Sequence, residues 1–404
     1  MGSNRSSERL DDDPGWHARG EGPDPRTRPE AIRFERPGGI SVTSDQLAAQ
    51  RRQRLQFEPF EEGPDAWGEL LEQLPGKLVC QSSAWLSFLK ESQRGEPITA
   101  VLRKDGSIVG AFAGMVITKL GLRILGSPFP GWTTPYMGLN LVDGVSRQGA
   151  VHALVDFAFG DLGCVHLEMM DRHLELSDLD GLRYAHRMFN SWEVDLNADA
   201  ASLIATFSRA CRWNIRTAAK NGLVVEEAND PEFVDEYYAQ LSDVFGRQGL
   251  TPTYPRQRAA QLISALRPSG QLLLLRARTS DGRPAATGIF HAVDATRAYG
   301  WGFASWRDMQ HLHPNELLLF HAMNWWRERG FTIMDLAGSG EYKKKYHPRP
   351  IAVPWIRISK YAVIRPLREA AQWSYQFKRQ VFRSDRPGPR SRAWRGSVRE
   401  VRAW

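Results

Sequence analysis

The chain has 404 residues, 42% of them hydrophobic and 25% charged, which allows two or three globular domains with a sizeable core. The formal net charge is +7, but residues 383–404 carry seven Arg against Asp385 and Glu400, so the rest of the chain is only mildly basic, which argues against a general nucleic-acid binder. Cys80, Cys164 and Cys211 show no CxxC spacing, no run approaches 18 apolar residues, and neither a P-loop nor a dinucleotide-binding glycine fingerprint is present. These features exclude a zinc site, a membrane-spanning helix, a P-loop hydrolase and a Rossmann oxidoreductase. The cysteines are expected as buried free thiols. The first residues lack the apolar stretch of a secretory signal, so a cytoplasmic location is expected.

Residues 1 to about 54 are rich in Arg, Asp, Glu, Pro and Gly, and are expected to be disordered because they cannot bury enough apolar surface. Trp67, Leu70, Leu71 and Leu74 predict a short amphipathic helix, and 83–92 a second. Residues 98–103 and 108–117 read as a hairpin closed by Lys104-Asp105-Gly106. The stretch 126–136, GSPFPGWTTPY, holds too much Pro and Gly for regular structure and reads as a shaped loop presenting Trp132, Thr134 and Tyr136. A helix over about 146–159 and a strand over 165–170 follow.

Ser202 to Gly222 reads as one two-faced helix. Leu203, Ile204, Phe207, Cys211, Ile215 and Ala218 gather on one side, and Arg209, Arg212, Arg216 and Lys220 on the other. Asn221-Gly222 supplies the stop. The segment holds no acidic residue. Solvated helix faces usually mix signs, so an unbroken cationic stripe favours an anionic ligand such as phosphate or pyrophosphate.

The second half then repeats the order of the first. Helices are predicted over 231–245 and 255–266, and a hairpin over 271–278 and 285–293. A strand over 297–303 follows with Tyr299 and Trp301. Pro314 opens a helix that runs to 329, before a strand over 331–336. Both halves thus run helices, hairpin, strand, helix, strand, with Asp-Gly turns at 105 and 281 and the strand acids Glu168 and Asp335 at similar offsets. This predicts two copies of one α/β unit. A strand over 356–364, a basic helix over 366–382 and an Arg/Pro-rich tail complete the chain.

Gly338-Ser-Gly-Glu-Tyr-Lys-Lys-Lys-Tyr-His347 follows the strand that ends at Asp335, where ligands commonly sit in open α/β sheets. Its glycines allow close backbone approach, and Lys343, Lys344 and Lys345 form a compact positive site between Tyr342 and Tyr346. A solvated basic loop is the alternative. His311 and His313 precede a helix start, where they either relay a proton or cap the helix.

Arg212-Trp-Asn-Ile-Arg-Thr-Ala-Ala-Lys-Asn-Gly-Leu223 resembles the RxNIRKAxKxGL motif of FemAB-like, or BioF2-like, acyltransferases. His313-Pro-Asn-Glu-Leu-Leu318 is similar to that family's PNxLL helix start, and Met334-Asp-Leu-Ala-Gly338 to its strand-end DLG or DFG. Tyr342-Lys-Lys-Lys-Tyr346 resembles its FKxxF or FKxxW element, with Tyr342 in place of Phe and His347 where a Gly usually closes the motif. The motifs occur in the family's order over 212–346. The first half resembles the family in element order alone.

The resemblance implies an α/β (α+β) fold of two tandem GNAT-like acyltransferase units, with mixed β-sheets flanked by helices. The expected division is a segment 1–54, a first unit over 55–198, a second over 199–382 and a basic tail 383–404. The implied activity moves an acyl group from an activated donor to an amine on an amino sugar, amino acid or cell-envelope or polysaccharide precursor. The donor is acetyl-CoA as co-substrate, with no tightly bound cofactor. The alternative is a FemX-like transfer from aminoacyl-tRNA to a peptidoglycan precursor, which would make tRNA a partner. No long heptad arm of the kind some tRNA users carry is visible, which leans toward acetyl-CoA.

By the motif match Lys343 is a catalytic candidate. Asp335 is the second, as a group that orients an amine or a lysine, the alternative being a strand-end carboxylate satisfied by backbone donors. Arg209, Arg212, Arg216, Lys220, Tyr136 and Tyr299 are assigned to a phosphate-bearing substrate, and His313, Asn315, Lys344 and Lys345 to the donor. No Ser-His-Asp or Cys-His grouping is legible, so direct attack of the amine is expected rather than a covalent intermediate. A third, non-catalytic reading has the basic helix and tail binding anionic polymer or a membrane surface on a degenerate core.

Overall fold

The computed structural model describes residues 54–246, 249–364, 366 and 368. Apart from Arg54, Pro366 and Arg368, the expected disordered segment, the basic C-terminal helix and the tail therefore lie outside the described residues.

Among the described residues thirteen strands join in one mixed sheet. The first half of the chain supplies β1 (Gln56–Pro59), β2 (Glu96–Lys104), β3 (Ser107–Lys119), β4 (Leu122–Ser127), β5 (Leu139–Leu141), β6 (His166–Met170) and β7 (Tyr184–Asp195). The second supplies β8 (Val224–Glu227), β9 (Leu272–Arg278), β10 (Pro284–Ala292), β11 (Arg297–Ser305), β12 (Ile333–Asp335) and β13 (Arg349–Ser359). The order is β1-β2-β3-β4-β6-β13-β7-β12-β11-β10-β9-β8, with β5 beside β3. Each half contributes one parallel pair, β4 with β6 and β11 with β12.

The repeat expected from the sequence is present, with an exchange at its end. β7 belongs to the first half by sequence but pairs with β12, and β13 belongs to the second but pairs with β6. The two exchanged strands also pair with each other over ten residue pairs, Arg349↔Glu193 to Ile358↔Tyr184. The halves are therefore knitted into one sheet through backbone hydrogen bonds. The strand acids Glu168 and Asp335 occupy matching places on β6 and β12, and both are fully buried.

Eight α-helices flank the sheet among the described residues: α1 (Pro64–Gln73), α2 (Ser83–Gln93), α3 (Arg147–Phe159), α4 (Ala200–Thr206), α5 (Arg209–Lys220), α6 (Phe233–Gly246), α7 (Arg256–Leu266) and α8 (Pro314–Glu328). Their starts are encoded locally. The Oγ of Ser82, Ser146 and Ser208 and a carboxylate oxygen of Asp199 each accept a backbone N–H at N3 of the helix that follows. Each such cap is worth about 1 kcal/mol. One core cluster joins α3 to the first-half strands through Phe57, Leu102, Leu125, Leu154, Phe157 and Leu167. The larger cluster holds Trp85, Tyr136, Tyr299, Trp301, Leu318, Trp326, Met334 and Tyr346. The three cysteines are free and buried, as expected.

Three sequence expectations are corrected. The single helix over 202–222 is two helices, because Phe207 is extended and Ser208 opens a new N-terminus. The strand placed at 356–364 lies at Arg349–Ser359 instead, drawn forward by its pairing with β7. The segment after Gly340 is a 3₁₀ turn over Glu341–Tyr346 rather than an open loop. The sequence reading also missed β7, the partner of both β12 and β13.

Candidate active site at the end of the second parallel pair

β11 and β12 pair from Arg297↔Ile333 to Tyr299↔Asp335, and there they part. β12 stops at Asp335, whereas β11 runs on to Ser305 with Trp301 as the extra residue of a bulge opposite β10. Bulges of this kind commonly re-aim side chains beside active sites. The opening is filled from the first half of the chain by the Pro/Gly loop. The Trp301 indole N–H donates to Thr133 O at 2.8 Å, and the Trp85 indole to Thr134 Oγ1 at 3.2 Å.

That loop carries Tyr136 into the site, where its hydroxyl donates to Asp335 Oδ2. Ser191 of β7 donates to Asp335 Oδ1 at 2.5 Å, and Ala337 N–H to the same oxygen at 2.8 Å. Asp335 is thus a fully buried carboxylate with three donors drawn from three parts of the chain. Burial pushes its pKa up, while the bonds from Ser191 and Tyr136 pull it back only partly. Glu193, its neighbour on β7, is also fully buried and is held by Arg172, Arg297 and Arg349 at 2.7, 3.1 and 2.8 Å.

Lys343 completes the cluster. Its Nζ donates to Ala337 O and to Gly338 O, the latter at 3.3 Å, and the residue is only 5% exposed. Burial lowers its pKa from the ordinary lysine value to about 8, against the opposing pull of Asp335. Ala337 makes this possible by adopting a left-handed conformation (φ 58°), which turns its carbonyl to the lysine and its N–H to Asp335. Of the three adjacent lysines, Lys343 is therefore the one turned inward. Lys344 is half-exposed and pairs with Glu341 at 2.6 Å, and Lys345 pairs with Glu316 at 2.8 Å.

An open cleft of about 480 Å³ adjoins this cluster, lined by Asn190, Ser191, Trp192, Ser339, Glu341, Pro350, Ile351 and Ala352. Ser191 belongs to both the cleft and the buried network.

A second cluster forms where α5 meets the start of α8. Glu316 accepts from Asn214 Nδ2 and Lys345 Nζ, both at 2.8 Å, and Ser208 N–H donates to Lys345 O at 2.8 Å. The helix start is thereby tied to the Lys343 turn. Burial would raise the Glu316 pKa, but Lys345 and Asn214 outweigh it and hold the carboxyl below its usual range. The bonded carboxylate thus stabilises the fold above its unfolded-state pKa, and that contribution is lost as pH falls through the depressed folded value. Glu316→Ala is expected to destabilise the fold by about 2–3 kcal/mol at neutral pH, and by less in acid. Denaturant melts of both proteins across pH check this.

The remaining predicted residues divide between this region and the surface. Tyr299 stands in register with Asp335, and its pKa is raised, first by burial and then by that carboxylate. Asn315 Nδ2 donates to Ser305 Oγ at 2.8 Å. His313 occupies the N-cap of α8 with φ 59° but makes no side-chain cap bond; its ring meets Trp213 edge-on at 5.4 Å instead. Arg212 donates to Ala205 O at 2.9 Å and Phe207 O at 2.5 Å, so it ties off the end of α4. Arg209, Arg216 and Lys220 are exposed. Sequence reasoning missed Ser191, Glu193 and Glu316. A Ser–x–Glu alternation at 191–193 is a weak strand signal, and nothing local points it at Asp335.

Residues 205–345 match the family model described as an acetyltransferase (GNAT) domain. No curated protein matches the chain. Among solved structures the chain is similar to FemX at 15% identity and TM-score 0.62, covering 78% of this chain and 99% of FemX. A conserved protein of unknown function from Bacteroides thetaiotaomicron matches at 10% identity and TM-score 0.53, covering 75% and 99%. A tandem GNAT protein from the clavulanic acid biosynthesis pathway matches at 14% identity and TM-score 0.46, covering 75% and 98%.

The chain has the fold of FemX.

Its 205–345 segment is a GNAT-type acyltransferase domain, and the Asp335–Lys343 cluster lies inside that segment. Tyr136 and Ser191 reach the cluster from outside it, so the fold builds its candidate site from both halves of the chain.

Proposed function

We propose that this protein transfers an acyl group from an activated donor to an amine at the Asp335–Lys343 cluster. The observation that carries the reading is a buried lysine beside a buried carboxylate at the splay of a parallel strand pair, next to an open cleft. Direct attack of a neutral amine on a thioester or ester creates an oxyanion and requires a proton to leave the nitrogen. Lys343 supplies a positive charge for the oxyanion or the leaving group. Asp335 is the proton acceptor.

The donor is acetyl-CoA in this reading, with His313, Asn315, Lys344 and Lys345 on the donor side. Arg209, Arg216 and Lys220 face substrate phosphates, with Arg212 positioning their helix. The acceptor is an amino sugar, an amino acid or an envelope or polysaccharide precursor, met in the cytoplasm. The FemX-like alternative changes the donor alone, to aminoacyl-tRNA, and is supported by a likeness that spans 99% of FemX.

Incubation of the protein with acetyl-CoA or with aminoacyl-tRNA and a panel of amines, read by mass spectrometry, tests both. The acetyl-CoA reading expects an N-acetyl product that survives RNase treatment. An RNase-sensitive aminoacyl product transfers the assignment to the alternative, and no product with either donor refutes acyl transfer.

A further inference from the structure

The mechanism above leaves a gap: Asp335 is fully buried, yet the amine must deliver its proton there. Ser191 bridges that gap. It lines the cleft alongside Asn190, Trp192, Ser339 and Glu341, and its hydroxyl donates to Asp335 Oδ1 at 2.5 Å. A serine hydroxyl has one proton and two acceptor lone pairs. With its proton committed to Asp335, its lone pairs are what it can offer an N–H in the cleft. The other two donors to Asp335 are less suited. Ala337 contributes a backbone amide, and Tyr136, as buried as Ser191, does not line the cleft and has its hydroxyl pKa raised far above the ordinary value by burial.

We propose that Ser191 is a catalytic relay residue, which accepts a hydrogen bond from the acceptor amine in the cleft and passes the amine proton to Asp335. The proposal rests on the acyl-transfer reading and adds to it the residue that touches the nucleophile. As the nitrogen attacks the acyl carbonyl carbon, the C–N bond forms and the carbonyl electron pair moves to oxygen. One N–H proton passes to Ser191 Oγ while the serine's own proton passes to Asp335 Oδ1. On collapse the C=O bond re-forms, and the bond to the thioester sulfur or ester oxygen breaks with its electron pair going to the leaving group. The proton held on Asp335 returns through Ser191 to the leaving group or to solvent, so the net change is one proton moved from amine to leaving group.

The carboxylate is suited to this task, because burial raises its proton affinity above that of an ordinary aspartate. The titratable and charged groups that bear on it are Tyr136 from the Pro/Gly loop, Tyr299 from β11, Glu193 from β7, Arg172 after β6 and Lys343 from the 3₁₀ turn. None of them also lines the cleft.

The test compares wild type, Ser191→Ala and Ser191→Thr by kcat, KM for donor and amine, pH–rate profile and thermal melt. Thr keeps the hydroxyl and is at home in a strand. Ser191→Ala is expected to lose about 10²-fold or more in kcat with donor KM close to wild type, and to lose the rising limb of the profile. Ser191→Thr restores both. An Ala variant that keeps kcat and the rising limb overturns the relay alone. A Thr variant as inactive as Ala, with an unchanged melt, also overturns it. A wild type that turns over neither acetyl-CoA nor aminoacyl-tRNA overturns the acyl-transfer reading and the relay together.

Discussion

Lys343→Met is expected to lower kcat for acyl transfer by about 10²–10³-fold without unfolding the protein. The loss follows from where the ammonium sits, since a preorganised charge out of bulk water stabilises a developing oxyanion without reorganisation. The pH dependence separates this role from simple packing. With its pKa lowered to about 8 by burial, Lys343 loses its charge as pH rises through that value, so wild-type kcat should fall on the alkaline side there. The methionine variant should lack that descending limb. Stability should move the other way. The folded state binds the Lys343 proton less tightly than the unfolded chain, so burial of the ammonium costs stability below about pH 8. That cost, on the order of 3 kcal/mol, is relieved as pH rises toward the ordinary lysine value. Lys343→Met should therefore be at least as stable as wild type at neutral pH while being nearly inactive.

Asp335→Ala is expected to be the most destabilising single change in the site, by about 3–5 kcal/mol in chemical denaturation. Three donors, from Tyr136, Ser191 and Ala337, lose one shared acceptor, and the buried Lys343 loses its countercharge. Tyr136→Phe removes one of those donors and should cost about 1–3 kcal/mol. The double variant should fall well short of the sum, because both changes break the same bond. A fully additive pair would contradict the coupling of the first-half loop to the second-half strand end.

The elements most legible in the sequence were those fixed by local chemistry. Alternation and the Asp105-Gly106 turn mark the β2–β3 hairpin, Pro314 and Gly330 bracket α8, and the apolar stripe of Cys211, Ile215 and Ala218 marks α5. Asp335 and Tyr136 could be singled out because each lies in a stretch with an evident local signal, a strand end and a Pro/Gly loop. The run 343–345 marks three lysines alike, and only the resemblance to the family motif points to Lys343. What local signals could not supply was pairing. Tyr136 and Asp335 are separated by 199 positions, and Ser191 and Asp335 by 144. Ser191 enters the site because β7 crosses to the second half, and nothing in its own sequence encodes that exchange. The split at Ser208 was readable in principle, as a serine three residues before Cys211, but the continuous apolar stripe concealed it. Arg212 shows the converse limit. Its spacing places it on the cationic stripe, whereas its guanidinium reaches back to carbonyls at the end of α4.

The most direct test of acyl transfer at this cluster is a single-turnover assay of wild type and Lys343→Met. Each would be given acetyl-CoA or aminoacyl-tRNA with an amine acceptor, and the N-acylated product followed over time. A product formed by wild type with one donor, and formed about 10²-fold or more slowly by a folded Lys343→Met, is the expected result. Equal rates in the two proteins, or no product from wild type with either donor, would contradict it.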